Sequence, residues 1–197
     1  MVTIEKVNEI EGLLVITPKK FEDERGYFQE VFNNQEGVEY EGLPFNPVQE
    51  NESLSKSWVV RGLHFQKWPH EQAKLVRCTK GMIIDVAMDI RKDSPTYGKL
   101  FSILLTPQNN KQLFIPQGFA HGFINVDLNE SVVHYLTDDF YSPSCDSGYH
   151  FDDEMIYECI KNSMVLLDEK GEDITFDLIK NNVIRSEKDN KLEKFER

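Results

Sequence analysis

The sequence predicts an all-β fold, an antiparallel sandwich or barrel, on three observations. Segments rich in Val, Ile, Leu, Phe and Tyr recur at short intervals between Trp58 and Tyr141. Turn residues separate them, and the separations are too short for the crossover helices that parallel strands require. In order, the segments are WVVRGLHFQ from Trp58, AKLVRC from Ala73, MIIDVAMDI from Met82, KLFSILLT from Lys99, KQLFIPQGFAHGFINV from Lys111 and SVVHYLTDDFY from Ser131. Each has the length and β-branched or aromatic content of a strand. The breaks fall at Lys67–His70 with Pro69, at Lys80-Gly81, at Asp93–Gly98 with Pro95, at Pro107–Asn110 and at Asp127–Glu130, all of hairpin scale.

Upstream, LLVITP from Leu13 and GYFQEVF from Gly26 read as further strands, followed by a Gly/Pro/Asn-rich loop from Glu36 to Pro47. Downstream of Pro143 the composition changes. From Glu154 to Lys194 the chain is highly charged and lacks proline, and MIYECIKNSMVLL and FDLIKNNVI carry apolar residues compatible with helical spacing. The expectation is one domain over 1–197, with a β core at about 21–150 and a helical region at about 154–197.

Composition narrows the function classes. The 197 residues are 40% hydrophobic, enough for one filled core, and carry a formal charge of -12. A broad basic surface for capturing nucleic acid is therefore not expected. No apolar run is long enough to cross a bilayer, and the first twenty residues place acidic groups where a signal peptide needs a basic start. Cys78, Cys145 and Cys159 are odd in number and form no CxxC pair, which suits neither a disulfide framework nor a zinc knuckle. A reducing cytoplasm is the expected compartment.

Five histidines are available for proton transfer near neutral pH: His64, His70, His121, His134 and His150. His64 lies in RGLHFQ, where strict strand alternation puts Arg61 and His64 on opposite faces unless Gly62 marks a bulge. His121, between the glycines of FIPQGFAHGF, reads equally as a satisfied histidine at a strand entry or as a pocket rim. No HxH pair or other ligand spacing occurs near His64, so a metal is not expected. Arg25 and Arg61 offer planar donor forks suited to phosphate, and Tyr27 and Phe28 could stack on a base, although core packing is the commoner use of a strand aromatic.

Taken together, DERGYFQEVF, VQENESLSKSWVVRGLHFQ, QAKLVRCTKGMIIDVAMDIRKDSPTYGK, QLFIPQGFAHGF, HYLTDDFYSPSCDSG and SEKD resemble the dTDP-4-dehydrorhamnose 3,5-epimerases and related dTDP-4-keto-6-deoxysugar epimerases. The resemblance spans Phe21 to Asp189. It implies a cupin-type jelly roll, a homodimer, a dTDP-4-keto-6-deoxyhexose substrate and no cofactor. It further implies His64 as the base, Asp189 as the carboxylate that orients it, Lys74 as the group that stabilises the enolate and Tyr135 as the acid. Substrate contacts are implied at Arg25, Glu30, Gln49, Asn51, Arg61, His121, Asp146 and Lys188. One departure is visible: an insertion around Tyr157 to Glu172 precedes ITFDLI and the SEKD motif at Ser186–Asp189, and the Trp-Pro pair usual in the family is missing. LDEKG, Leu167 to Gly171, is the competing placement of that motif, but it puts glycine where the aspartate belongs.

The implied chemistry matches these residue types. A hydrogen beside a ketone becomes acidic only when the charge forming on oxygen is stabilised, which asks for a cation as well as a base. Inversion then needs a second proton source on the opposite ring face. Two alternatives stay open on the sequence: a single-position epimerase at C3 or C5, and a nucleotide-sugar-binding module without turnover.

Overall fold

The structure, a computed structural model, describes residues 2–33, 38–40, 43–163 and 181–196. Two antiparallel sheets face each other. The six-stranded sheet runs β1 (Thr3–Lys6), β2 (Leu14–Thr17), β12 (Gln112–Ile115), β9 (Lys74–Lys80), β14 (Ser131–Thr137) and β7 (Gln49–Ser55). The five-stranded sheet runs β11 (Leu100–Leu105), β10 (Ile83–Asp89), β13 (Phe119–Asn125), β8 (Val60–Gln66) and β15 (Asp146–Gly148). Neighbours in each sheet are mostly distant in sequence, the jelly-roll pattern implied by the resemblance.

Alternation along each strand assigns its side chains. From β10 and β13, Ile83, Ala87, Phe119 and Phe123 point between the sheets, where they meet Val76, Leu113, Ile115 and Val133 from the opposite wall. Ile84, Val86, Met88, Ala120 and Ile124 point outward and are covered by α1 (Asp153–Ser163) through Ile156, Cys159 and Ile160. β10 and β13 are thus buried on both faces, which explains their almost unbroken apolar reading. A third cluster, built on Leu14, Ile16, Phe45, Leu75 and Phe114, covers the outer face of the six-stranded sheet.

Several local readings change. KQLFIPQGFAHGFINV is two strands in different sheets, because Pro116 and Gly118 turn the chain from β12 into β13. GYFQEVF is strand only over β4 (Gly26–Phe28), which pairs with β3 (Phe21–Asp23) as an exposed hairpin. The expected loop from Glu36 to Pro47 contains a second hairpin, β5 (Val38–Tyr40) with β6 (Leu43–Phe45). The helical tail is seen in α1 and in the one-turn α2 (Glu187–Asn190), whereas LDEKG, ITFDLI and most of the inserted segment lie outside the described residues. All three cysteines are buried free thiols. Among the described residues no helix is long and apolar enough to cross a membrane.

The last described segment is fastened at several points. Ile184 exchanges backbone hydrogen bonds with strand β8 and its approach, Val60 N to Ile184 O at 2.9 Å and Ile184 N to Trp58 O at 3.0 Å. The Arg185 guanidinium pairs with Asp153 and donates to the Phe151 carbonyl. His150 N donates to Glu193 O at 2.8 Å, and the Phe195 ring packs edge-on against Tyr149 at 5.0 Å. These contacts set α2 against the open end of β8.

Candidate active site

A cavity of about 570 Å³ opens between the sheets. Its walls are β8 and β13 on one side and β7, β9 and β14 on the other, with β15 and α2 at the rim. His64 and Arg61 both line it. They do so because β8 bulges: His64 pairs with His121 and Arg61 with Phe123, so two residues of β8, Gly62 and Leu63, oppose Gly122 alone. Gly62 takes φ +97, and a Cβ there would sit 2.6 Å from the His121 carbonyl oxygen, so only glycine fits. The extra residue sends Val60 and Leu63 outward to the core under α1 and returns both Arg61 and His64 inward.

One ring nitrogen of His64, Nε2, lies 2.6 Å from Asp189 Oδ1. Asp189 is 4% exposed, and its backbone N–H donates to Ser186 Oγ at 3.0 Å, the cap that starts α2. Burial works to raise the Asp189 carboxyl. The hydrogen bond and charge of His64, the Ser186 hydroxyl and the Gly62 N–H outweigh it and hold the group below the usual carboxylate range.

Lys74 enters from β9 and is 8% exposed. Burial pushes its ammonium down to about 8, against the opposing pull of Asp85 and Asp146. Its Nζ is 6.0 Å from the centre of the Tyr135 ring. Tyr135 projects inward from β14, where burial raises the phenol against the charge of Arg61, so the group stays protonated through neutral pH. His121 is buried, with Nε2 2.8 Å from Asp85 Oδ1. It is therefore both a satisfied histidine and a wall of the pocket.

Polar groups at the mouth are interlinked. Gln49 Nε2 donates to Asn51 Oδ1 at 2.8 Å, the Tyr141 N–H donates to Gln49 Oε1 at 3.1 Å, and the Tyr141 hydroxyl donates to Asp146 Oδ2 at 3.1 Å. Lys188 pairs with the same Asp146 oxygen. Arg61 spends two donors on Ser55 Oγ and the Leu54 carbonyl, which anchors the guanidinium at the cavity wall. Among the described residues, no group of three or more His, Cys, Asp or Glu side chains is placed to hold a metal ion.

Of the twelve residues named from the sequence, the structure gathers ten around this cavity: His64, Lys74, Tyr135, Asp189, Gln49, Asn51, Arg61, His121, Asp146 and Lys188. Arg25 and Glu30 stand apart from it. The β3–β4 hairpin leaves the six-stranded sheet from β2, two strands away from β9, and the Arg25 side chain is 85% exposed and paired with Asp23. The other histidines have different partners. His70 binds Asp139, His134 lies between Glu50 and Glu52 on the outer face of the sheet, and His150 faces the Asp189 carbonyl. Sequence reasoning missed Tyr141, Gln66 and Gln72 on the cavity wall and Asp85 behind it. The signal for Asp85 was present: it is the lone charge inside the apolar run MIIDVAM.

The family model for dTDP-4-dehydrorhamnose 3,5-epimerase matches residues 7–197. The chain belongs to that family. The dTDP-4-dehydrorhamnose 3,5-epimerase of Escherichia coli strain K12 is 46% identical over 149 residues, covering 75% of this chain and 80% of its own. The crystal structure of the dTDP-4-dehydrorhamnose 3,5-epimerase from Bacillus anthracis, with TDP and PPi bound, superposes with a TM-score of 0.80 at 33% identity, covering 99% of this chain and 100% of that one. The dTDP-6-deoxy-D-glucose-3,5-epimerase of Legionella pneumophila, in complex with dTDP-4-keto-L-rhamnose, gives 0.78 at 31% identity with full coverage of both chains. One cavity of this chain combines a histidine–carboxylate pair, a buried lysine and a half-buried phenol.

Proposed function

We propose that this protein is a dTDP-4-dehydrorhamnose 3,5-epimerase, inverting C3 and C5 of dTDP-4-dehydro-6-deoxy-D-glucose on the way to an activated L-rhamnose or related deoxysugar. The observation that carries the reading is the short His64–Asp189 contact inside a cavity that also holds Lys74 and Tyr135. Neutral His64 takes the proton from the carbon beside the ketone, and the carboxylate of Asp189 favours the imidazolium so formed and holds the ring in place. Lys74, as a cation, meets the charge that develops on the C4 oxygen. The Tyr135 phenol, on the opposite wall, returns a proton to the other face of the sugar. Once His64 has released its proton to solvent and Tyr135 has regained one from it, repetition at the second carbon completes the double inversion.

Arg61, Gln49, Asn51, His121, Asp146 and Lys188 are proposed to hold the nucleotide diphosphate sugar. Binding energy gathered remote from the reacting carbons then serves to orient them. Incubation with dTDP-4-keto-6-deoxyglucose in heavy water, followed by proton NMR, tests the reading. Label is expected at both C3 and C5. Label at one carbon only would make the protein a single-position epimerase, and none would leave a binding module.

We further propose that the protein acts as a homodimer in which Arg25 and Glu30 complete the partner's nucleotide site. The support is the β3–β4 hairpin, which stands clear of its own chain's cavity while exposing Phe21, Tyr27 and Phe28 at 50%, 57% and 70%. Three adjacent exposed aromatics beside an arginine suit a nucleotide or a partner surface rather than bulk water. Sedimentation equilibrium is expected to give twice the chain mass of 23.0 kDa, and Arg25→Ala is expected to raise the KM for the nucleotide sugar about tenfold while leaving kcat within a factor of a few. A monomer with full activity would refute the shared site.

A further inference from the structure

One buried charge near the cavity takes no direct part in the proposed chemistry. Asp85 is 0% exposed, and it reaches inward from the middle of β10, flanked by Ile83, Ile84, Val86, Ala87 and Met88. Its Oδ1 meets His121 Nε2 at 2.8 Å, while its Oδ2 is buried with no hydrogen-bond partner among the described residues. Leaving a carboxylate oxygen in that state is costly unless its charge acts on something nearby. Lys74, on the facing sheet, is buried as well and feels Asp85 as its largest favourable charge.

We propose that Asp85 is a positioning residue for the reaction: its buried carboxylate fixes the His121 ring and supplies the standing negative charge against which Lys74 is kept as an ammonium ion at the enolate oxygen. The inference rests on the epimerase reading above, since it assigns Lys74 its role there. Lys74 lines the cavity together with His121 of β13 and with Tyr135 of β14, whose ring centre is 6.0 Å from its Nζ, and Asp85 of β10 lies behind His121. Arg61 and His64 from β8, Asp146 from β15, and Lys188 and Asp189 from α2 face the same space. Arg61 and Lys188 disfavour a further cation, and Asp189 and Asp146 have close partners of their own in His64 and Lys188. Asp85, with one oxygen uncommitted, is the larger of the two carboxylate charges that favour the Lys74 ammonium, Asp146 being the other.

The sign of the effect follows. A neighbouring carboxylate raises the pH at which a lysine loses its proton, so removing that charge moves the loss to lower pH, by about one unit or more for a close buried pair. In the wild type, deuterium exchange from the 4-keto sugar should fall on the alkaline side as pH passes about 8. In Asp85→Asn the same limb is expected at least one pH unit lower, with kcat near pH 7.5 reduced about tenfold and KM little changed. Asp85→Glu, which restores the charge, is expected to return the limb to its wild-type position even where kcat stays depressed. NMR titration of 13Cε-labelled lysine in the substrate-free protein, with the Lys74 signal assigned by its loss in Lys74→Arg, reads the same shift without turnover.

An Asp85→Asn variant that is folded by circular dichroism, but whose limb and Lys74 titration stay where they are in the wild type, would overturn the proposal. If that variant does not fold, Asp85→Glu decides: a limb displaced to lower pH despite the retained charge would overturn it equally. A wild-type protein that exchanges no deuterium at all would instead overturn the epimerase reading, and the NMR titration would still report on Asp85 and Lys74.

Discussion

His64→Ala is expected to lower deuterium exchange at C3 and C5 by on the order of 10²- to 10⁴-fold, the range general-base catalysis usually contributes. The cause is specific. His64 is held at 2.6 Å by Asp189, and its other ring nitrogen is left to take the sugar proton. The fold should survive, because the side chain is partly exposed in the cavity and Val60 and Leu63, its outward neighbours on β8, carry the packing. A thermal shift with dTDP should therefore remain close to that of the wild type. Exchange persisting undiminished in a folded, dTDP-binding variant would show that some other group is the base.

The second large effect is expected at Lys74, and it runs in two directions. Lys74→Met should lower exchange by roughly 10²- to 10³-fold, as the loss of one charge-stabilising donor does elsewhere. It should also stabilise the fold. Burial holds the Lys74 ammonium down to about 8 from an ordinary 10.5, so the folded chain binds that proton less tightly than the unfolded chain. The resulting destabilisation is complete below about 8 and fades as pH rises to about 10.5. At neutral pH it is on the order of 1–3 kcal/mol, with the attraction of Asp85 already included. A net gain of about 1 kcal/mol, seen as a melting temperature higher by about 2–4 °C at pH 7 and no higher near pH 10.5, is the expected result. An unchanged or lower melting temperature at pH 7 would mean that Lys74 is better compensated than its surroundings indicate.

What could be read from the chain follows physical lines. Strands buried on both faces, such as β10, announce themselves by composition, and the five breaks fell where Gly, Pro and Asn placed them, but only Asp93–Gly98 closes a hairpin, the other four carrying the chain from one sheet to the other. The bulge in β8 was legible as a condition, because only an irregularity at Gly62 could turn Arg61 and His64 to one face. β7 was not legible. Its inner face carries Gln49, Asn51 and Ser53 toward the cavity and its outer face carries Glu50 and Glu52, so a strand that serves the site shows no apolar alternation. Asp189 was reached only through the letters of SEKD. One turn of helix has too few residues to show a period, and its placement depends on the contacts of Ile184, Arg185 and Phe195 with distant parts of the fold. Arg25 and Glu30 were named through the resemblance alone, and the structure sets both apart from the cavity.

The tail that carries α2 has a consequence for how this protein is made and lost. Every strand among the described residues, and with them the imidazole, the ammonium and the phenol, precedes residue 150, whereas the carboxylate paired with the imidazole comes some forty positions later. A chain emerging from the ribosome completes its histidine–carboxylate pair last, and a protease cut between α1 and Ile184 would leave α2 held only by the contacts of Ile184, Arg185, Glu193 and Phe195. Birth and retirement of the activity are thereby uncoupled from the melting of the body that houses it.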